Sequence, residues 1–143
     1  MSGAPRVAAI VLLRADGAAL LQHRDDIPGI PHPGKWTPPG GHCEADESME
    51  ACARRELFEE TSYRAADLHL LTEFVDDNAA GFPSLRLCVF WGRYDGTQSV
   101  VCHEGQALAF IPREEAGAYP IPAYLVDLWD LALDTARGAE VRP

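Results

Sequence analysis

The sequence predicts an α+β or α/β sandwich, because short strand-like segments are mixed with two segments that have helical patterns. The chain has 143 residues, which fits one ordinary globular domain spanning residues 1–143. Hydrophobic residues make up 47% of it and charged residues 24%, so the chain can bury a core. We see no internal repeat, low-complexity segment or linker, and we expect a single domain.

The first predicted element is a β-hairpin. Apolar residues run almost without interruption from Val7 to Leu13 and again from Ala19 to Leu21, with Asp16-Gly17 between them. An Asp-Gly pair between two apolar runs is a good hairpin signal. The chain then enters residues 25–41, where five prolines and four glycines predict a loop.

The remaining elements follow from composition and periodicity. Residues 47–60 contain neither Gly nor Pro, which predicts a helix that begins near Ser48. Four later segments have strand patterns: residues 68–75, 84–93, 99–102 and 107–111. A second helix is expected over residues 123–136. Its apolar stripe predicts core packing and consists of Leu125, Leu128, Trp129 and Ala132.

Charge and hydropathy limit the classes of partner. The net charge of −10 argues against general nucleic-acid binding, which normally needs a basic surface. A phosphate substrate remains compatible, because a metal ion can reverse the local field of an acidic pocket. No apolar run approaches the roughly 20 residues of a membrane-spanning helix. Residues 1–5 lack the features of a signal peptide, so we expect a cytoplasmic protein without a membrane partner.

The four cysteines show no metal-binding spacing. Cys43 and Cys102 each adjoin a histidine, which raises the alternative of a zinc site. Zinc ligands usually come as closely spaced pairs, however, and these cysteines do not. We therefore expect reduced, mostly buried thiols at all four positions.

Three carboxylates share one side of the first predicted helix. Glu56, Glu59 and Glu60 stand at positions i, i+3 and i+4. At 100° per residue, Glu56 and Glu60 point within about 20° of Met49, and Glu59 about 80° away. The carboxylates thus continue the apolar stripe of the helix, which should face the protein body.

Such a trio needs a counter-charge, because like charges at these spacings repel one another, and more so when partly desolvated. A divalent cation would supply it, and hard oxygen ligands select Mg²⁺ or Mn²⁺. The alternative is a solvated charged face on which Arg54 and Arg55 are the partners. Helix geometry alone leaves both interpretations open.

The surrounding segment, residues 41–63, resembles the Nudix hydrolases. The box of that family has the form G-x5-E-x7-R-E-U-x-E-E-x-G-U, where U is a bulky apolar residue. Seven positions match at the right spacing: Gly41, Glu47, Arg55, Glu56, Leu57, Glu59 and Glu60. Pro39-Gly40 ahead of the box and Glu44 within it match a common extension of the pattern. Five of the seven matches are charged, which makes the signal highly specific.

The resemblance implies a mixed sheet flanked by helices and assigns roles within the box. Glu56, Glu59 and Glu60 would bind one or more Mg²⁺ ions, with Mn²⁺ as a substitute. The Gly40 carbonyl would add a ligand. Arg55 would pair with Glu47 and so fix the loop to the helix.

Two positions depart from the family pattern. Ser62 replaces the closing Gly, and Tyr63 replaces the final aliphatic residue. The Gly normally ends the helix in a left-handed conformation, which costs Ser roughly 1 kcal/mol. Because both departures follow the carboxylates, they concern stability more than chemistry.

Outside the box, Glu104 is the candidate for an extra metal ligand or general base. It lies in the polar break 103–106 between two predicted strands, where the alternative is a solvated turn. Arg24 could bind a substrate phosphate as a bidentate donor, or remain a surface charge. Lys35 and Trp36 precede the phosphate loop and could contact substrate, Trp36 by stacking on a base. A Trp beside Pro-rich turns more often packs internally.

The predicted reaction is attack of water on a phosphorus atom of a diphosphate bridge in a small nucleoside-diphosphate-linked substrate. Glu59, or Glu104, would act as general base. A house-cleaning hydrolase of oxidised nucleoside triphosphates such as 8-oxo-dGTP is an alternative. A nucleotide-sensing domain without catalysis is a third, but such domains usually lose a box carboxylate. The sequence leaves monomer and homodimer both open.

Overall fold

The computed structural model describes residues 5–77 and 81–141, and its strands form a seven-stranded mixed sheet flanked by helices. The predicted α+β architecture is therefore confirmed. The strands are β1 (Arg6–Leu13), β2 (Ala19–His23), β3 (Trp36–Thr37), β4 (Gly40–His42), β5 (His69–Asp76), β6 (Leu85–Arg93) and β7 (Ala107–Ile111). The helices are α1 (Met49–Thr61), the short 3-10 helix Arg113–Ala118 and α2 (Ala123–Val141).

Strand β1 organises the sheet because its two edges have different partners. One edge pairs in parallel with β6 along its whole length. The other edge pairs with β2 only at Leu13 and with β4 at residues 7–9. Strand β2 pairs in turn with β3 and β7. The two strands of the hairpin thus separate beyond its turn, and β4 takes the place that β2 leaves.

Alternation along β1 divides the core between the two helices, as expected when both faces of a strand are covered. Ala8, Ile10 and Leu12 belong to a buried cluster that includes Cys52, Ala53 and Leu57 of α1. Val11 and Leu13 point the other way, into a cluster that includes Trp129 and Ala132 of α2. The predicted stripe of α2 is therefore confirmed as core. Among the described residues, no helix is long and apolar enough to cross a membrane.

The predicted loop over residues 25–41 is only partly correct, because it contains β3 and most of β4. Strand β4 forms where two glycines let the chain lie directly against β1. A Cβ atom at Gly40 would stand 2.2 Å from the Ala8 carbonyl oxygen. The many prolines and glycines therefore predicted a loop where β4 forms. This strand can pair with β1 because Gly40 has no side chain.

The predicted strand over residues 99–102 is wrong. The backbone N–H of Val101 donates to Thr61 O at 2.8 Å, and that of His103 donates to Glu60 O at 3.1 Å. The segment thus caps the last turn of α1 instead of pairing with a strand. The 3-10 helix was not predicted, and α2 continues past residue 136 to Val141.

The expectation of four reduced thiols is also wrong, because Cys43 and Cys52 form a disulfide. Their Cα atoms are 5.2 Å apart, and the bridge joins the β4–α1 loop to the second turn of α1. Glu47 places a carboxylate oxygen near both sulfurs, which gives the cluster the composition of a metal site. The bond between the sulfurs removes the thiolates that such a site needs. Cys88 is a buried free thiol and Cys102 an exposed one.

Helix α1 is capped by a serine at each end, Ser48 and Ser62. The Ser48 hydroxyl accepts a hydrogen bond from Ala51 N at 3.1 Å, which caps the first turn. Ser62 ends the helix with φ 65° and ψ 8°, the left-handed conformation that the family pattern assigns to Gly. Its Oγ lies 2.6 Å from His103 Nε2. The serine therefore ties the helix end to the residue before Glu104. Tyr63, the second departure, is 1% exposed and fills the core beneath α1.

The disulfide should contribute about 2 to 3 kcal/mol to the free energy of unfolding, because it closes a short loop and restricts the unfolded chain. Urea denaturation of the wild type should therefore show a lower midpoint when a reductant is added. Cys43→Ser should remove this sensitivity, whereas Cys102→Ser should retain it. An unchanged midpoint of the reduced wild type would contradict the contribution of the bridge.

Ser62 should show energetic coupling to His103. In a His103→Ala background, Ser62→Gly should raise the free energy of unfolding by up to about 1 kcal/mol, since it relieves the left-handed backbone. In the wild type the gain should be smaller, because the variant also loses a hydrogen bond with a net value of about 1 kcal/mol. A double-mutant cycle by chemical denaturation measures the difference. Equal gains in both backgrounds would show that the contact contributes nothing.

Candidate active site

A cleft of about 440 Å³ lies where β1 and β2 separate. Gly40, Gly41, Glu56 and Glu104 line one end of it. The floor is apolar and includes Val7, Ala9, Leu85 and Leu87 from β1 and β6. His32, Asp76 and Tyr124, which are linked by hydrogen bonds, also line it. A volume of this size is typical of small-molecule sites.

The acidic end depends on the close approach of a helix carboxylate to a glycine backbone. A Cβ atom at Gly41 would lie 2.2 Å from Glu56 Oε1. Any larger residue would therefore displace this carboxylate. The Glu56 side chain is 15% exposed, at the cleft surface. The glycine pair thus brings Glu56 and the β4 backbone to the same point.

Glu60 is the most deeply buried carboxylate of the helix. The residue is 5% exposed, and Gln22 Nε2 donates to its Oε1 at 3.3 Å. Its Oε2 has no hydrogen-bond partner among the described residues. Burial raises the pKa of Glu60 well above its usual range, and the neighbouring carboxylates of Glu56 and Glu104 raise it further. The charged form is thus strongly disfavoured until a cation compensates it.

Arg55 connects the helix with the loop before it. Its Nε and Nη2 donate to the two carboxylate oxygens of Glu47 at 2.6 and 2.9 Å, and Nη2 also donates to His42 O at 3.1 Å. This bidentate bond lowers the pKa of Glu47 to about 2 and raises the pKa of Arg55. The predicted pair of Glu47 and Arg55 is confirmed.

The same guanidinium also contacts two carboxylates of the predicted trio. Arg55 Nη1 lies 2.8 Å from Glu56 Oε2 and 3.2 Å from Glu59 Oε1. Glu59 has a side chain that is 56% exposed, which agrees with its 80° rotation from Met49 in the helical projection. In the part of the chain that the structure describes, Glu56, Glu59 and Glu60 do not bring three carboxylate oxygens within 4.8 Å of one another.

Glu104 lines the cleft and follows His103, whose backbone N–H donates to Glu60 O at the end of α1. Its carbonyl accepts a hydrogen bond from Gln22 Nε2 at 2.9 Å, the same amide that contacts Glu60. The side chain is exposed and lines the cleft, and its charge acts on Glu60. The structure thus brings Glu104 to the acidic end, although 44 positions separate it from Glu60.

The three predicted substrate contacts lie in different places. Arg24 lines the cleft and donates through Nε to Pro31 O at 2.7 Å, which holds its guanidinium. Trp36 stacks on His23 and packs edge-on against Tyr119, outside the set of residues that line the cleft. This placement favours the packing alternative for Trp36. Lys35 is exposed and also lies outside that set.

Sequence reasoning missed His32, Asp76 and Tyr124, which line the cleft, and Gln22, which contacts Glu60. A sequence signal existed for Gln22, because it is a polar residue at the end of an apolar strand, and the structure shows that it is 2% exposed. A buried amide normally has a specific partner. His32, Asp76 and Tyr124 come from three separate segments, so no local pattern could have grouped them.

The residues at the acidic end fit a divalent cation. Among the described residues, the buried Glu60 Oε2 has no hydrogen-bond partner, although such atoms are normally satisfied. The donors nearby are carboxylate and carbonyl oxygens, which suit Mg²⁺ or Mn²⁺. Glu56, Glu60, Glu104 and the Gly40 carbonyl could hold the ion, and Glu59 could join them if its side chain turns away from Arg55.

Comparisons with known proteins identify the family of this chain. The model of the NUDIX domain matches residues 3–129. A MutT-like protein of Streptomyces ambofaciens is 32% identical over 132 residues, which cover 92% of this chain and 78% of that protein.

Among solved structures, the MutT protein of Methanosarcina mazei Go1 superposes with a TM-score of 0.76 at 21% identity, covering 92% of this chain and 94% of that one. The NUDIX domain of Shewanella oneidensis NrtR, complexed with ADP ribose, has a TM-score of 0.79 at 18% identity, covering 95% and 90%. The structures show the shared fold, and the sequence matches show the family. The chain therefore belongs to the Nudix family and is a hydrolase acting on phosphorus-containing anhydrides.

Proposed function

We propose that this protein is a Mg²⁺-dependent pyrophosphohydrolase that cleaves a diphosphate bond in a nucleoside di- or triphosphate derivative. The observation that carries the proposal is the buried Glu60 carboxylate, whose unpartnered oxygen lies beside Glu56 at the glycine-lined end of a cleft. A charge in that position is stable only with a cation. The cleft beyond it has room for a nucleotide.

Each residue has a distinct part in the proposed reaction. Glu56, Glu60 and the Gly40 carbonyl would hold Mg²⁺, with Glu59 and Glu104 as further ligands. When bound, Mg²⁺ would supply positive charge for the non-bridging phosphate oxygens and would lower the pKa of water. Arg55 keeps the helix and the loop in register, and Arg24 donates to a substrate phosphate. Glu59 or Glu104 takes the proton from the attacking water.

The substrate class rests on the family and on the shape of the cleft. The NrtR domain with the same fold is described in complex with ADP ribose, a nucleoside-diphosphate derivative. Oxidised nucleoside triphosphates such as 8-oxo-dGTP are the alternative substrates. A purely sensing role is disfavoured by the sequence, since every carboxylate of the box is present. We propose one domain over the whole chain, and either a monomer or a homodimer could carry this site.

The proposed function predicts Mg²⁺-dependent release of phosphate or pyrophosphate from members of a nucleotide panel. Glu59→Gln should lower kcat at least about 100-fold without unfolding the protein, because it removes a ligand or base. Glu50→Gln is the matched control, since Glu50 pairs with Arg54 at the same i,i+4 spacing on the exposed side of α1. Equal turnover of the two variants would contradict the role of Glu59, and wild-type inactivity across the panel would contradict the function.

The variant Glu104→Gln tests whether Glu104 acts as a metal ligand or general base. The variant keeps the backbone contacts of residue 104 but loses the charge that faces Glu60, so kcat should fall at least about tenfold. Steady-state kinetics on the best substrate from the panel measures the loss, with Glu50→Gln again as the reference. A loss below about threefold would mean that Glu104 is a solvated turn residue.

A further inference from the structure

The disulfide between Cys43 and Cys52 joins the two parts of the proposed metal site. Cys43 directly follows β4 and lies two residues after Gly41, whereas Cys52 lies one helical turn before Glu56 on the same side of α1. Cys52 Sγ is also 3.8 Å from the Gly41 carbonyl oxygen. The bridge therefore ties the glycine backbone to the helix at the point where Gly41 meets the Glu56 carboxylate.

The contact between Gly41 and Glu56 depends on the distance between the loop and the helix. A Cβ atom at Gly41 would stand 2.2 Å from Glu56 Oε1 and 2.4 Å from its carboxyl carbon, so backbone and carboxylate are in close contact. A displacement of the loop away from α1 opens this contact. Because Mg²⁺ demands nearly ideal ligand geometry, such a displacement weakens its binding.

Cleavage of the bridge would displace the loop rather than the helix. Two separate thiols cannot stay at bonding distance, so one of the two cysteines has to move. Cys52 is 0% exposed and belongs to the buried core cluster beneath α1, which holds it in place. Cys43 is only half-buried and begins the loop between β4 and α1. Reduction therefore moves Cys43, two residues from the backbone that faces Glu56.

The reduced loop would still be attached to the protein at several points. The backbone N–H of Cys43 donates to Arg6 O at 2.9 Å. The guanidinium of Arg6 donates to Glu47 O at 3.1 Å and to Glu44 O at 2.6 Å. Glu47 also keeps its pair with Arg55. These contacts limit the displacement, so reduction changes the geometry of the site without releasing the whole loop.

We propose that the Cys43–Cys52 disulfide is a redox switch for the metal site, which binds its divalent cation more tightly in the oxidised protein than in the reduced one. The inference rests on the proposed function, because it concerns the same carboxylates. The bridge acts through Gly41 and Glu56 and touches no substrate, so both cysteines are positioning residues.

The partner of the switch is a thiol reductant, either a small dithiol or a protein with a pair of thiols. Its thiolate attacks the sulfur of Cys43, the more exposed cysteine, and Cys52 leaves and takes up a proton. The second thiol of the reductant then attacks the mixed disulfide, which frees Cys43 as a thiol and leaves the reductant as its own disulfide. Two electrons and two protons pass to the protein. Exchange with an oxidised thiol compound reverses the reaction.

The test compares Mn²⁺ binding to the oxidised wild-type protein and to the same protein reduced with dithiothreitol, which is removed under anaerobic conditions. The Kd should be about tenfold higher after reduction, as is typical when the groups that support metal ligands are disturbed. Electron paramagnetic resonance of free Mn²⁺ measures the binding. Mn²⁺ is a suitable probe, because thiolates select softer ions and the two released thiols compete for it little.

Two further measurements separate the switch from a purely stabilising bridge. Circular dichroism should show that both forms are folded without denaturant. A bridge that only stabilises the fold would lower the urea midpoint on reduction and leave the Kd for Mn²⁺ unchanged. Hydrogen exchange should be faster in the reduced protein at the backbone amides of residues 41–47. Thiol titration in denaturant should count two thiols in the oxidised form, Cys88 and Cys102, and four in the reduced form.

Variants assign the effect to the bridge. Cys43→Ser should bind Mn²⁺ as weakly as the reduced wild type, with or without reductant. Cys102→Ser is the matched control, since it removes a free thiol outside the bridge and should keep the redox response. Oxidised glutathione should restore the affinity of the reduced wild type. If Cys43→Ser does not fold, the comparison of the two wild-type forms decides, because it needs no substitution.

Three results would overturn the inference: an equal Kd for Mn²⁺ in the two folded forms, four thiols in the protein before reduction, or loss of the redox response in Cys102→Ser. Each of them can occur while nucleotides are still hydrolysed, which would leave the proposed function intact. Conversely, a redox-dependent Kd in a protein that hydrolyses no nucleotide would support the switch and contradict the proposed function.

Discussion

The site depends on how Arg55 compensates the acidic side chains around it. One guanidinium contacts Glu47 in the loop and Glu56 and Glu59 in the helix, with contact distances from 2.6 to 3.2 Å. Without it, the side chains of Glu47 and Glu56, 12% and 15% exposed, would be partly desolvated carboxylates that lack this cation. The planar guanidinium of Arg55 can compensate these charges together, because its N–H groups donate to several carboxylates in fixed directions. The position of the loop, and with it the glycine backbone, follows from this contact.

Close backbone approach is the second requirement, and it links several features that the sequence presents separately. Gly40 lies against the backbone of β1, and Gly41 lies against the Glu56 carboxylate. The chain then passes directly to Cys43, whose disulfide fastens the same loop to α1. The loop is therefore held by its pairing with β1, by the disulfide and by the Glu47–Arg55 pair. A carboxylate site that must hold its oxygens within narrow limits benefits from such restraint.

The sequence predicted those parts of the molecule that depend on local pattern. Capping by Ser48, the inward placement of Glu56 and Glu60, and the stripe of α2 follow from spacing along one helix, whereas Glu59 was expected on the inward side and is 56% exposed. The family box added the pair of Glu47 and Arg55. The errors concern contacts between distant segments. Whether Cys43 and Cys52 form a disulfide depends on the path of the loop between them. Residues 99–102, which were expected to form a strand, instead contact the end of α1.

The cleft shows why some of its residues are harder to predict from sequence than others. The carboxylates that we propose for the chemistry include three within five consecutive residues of one helix, so their spacing appears in the sequence as a motif. His32, Asp76 and Tyr124 come from a proline-rich loop, the end of β5 and the start of α2, and their contacts span 48 and 92 positions. Only the tertiary fold brings them into one cleft with Glu56. Residues of β1 and β6 line the same cleft, so the sheet sets the position of these three side chains relative to Glu56 and leaves no local pattern in the sequence. Spacing along one helix therefore predicts the candidate reacting groups better than it predicts the other side chains that line the cleft.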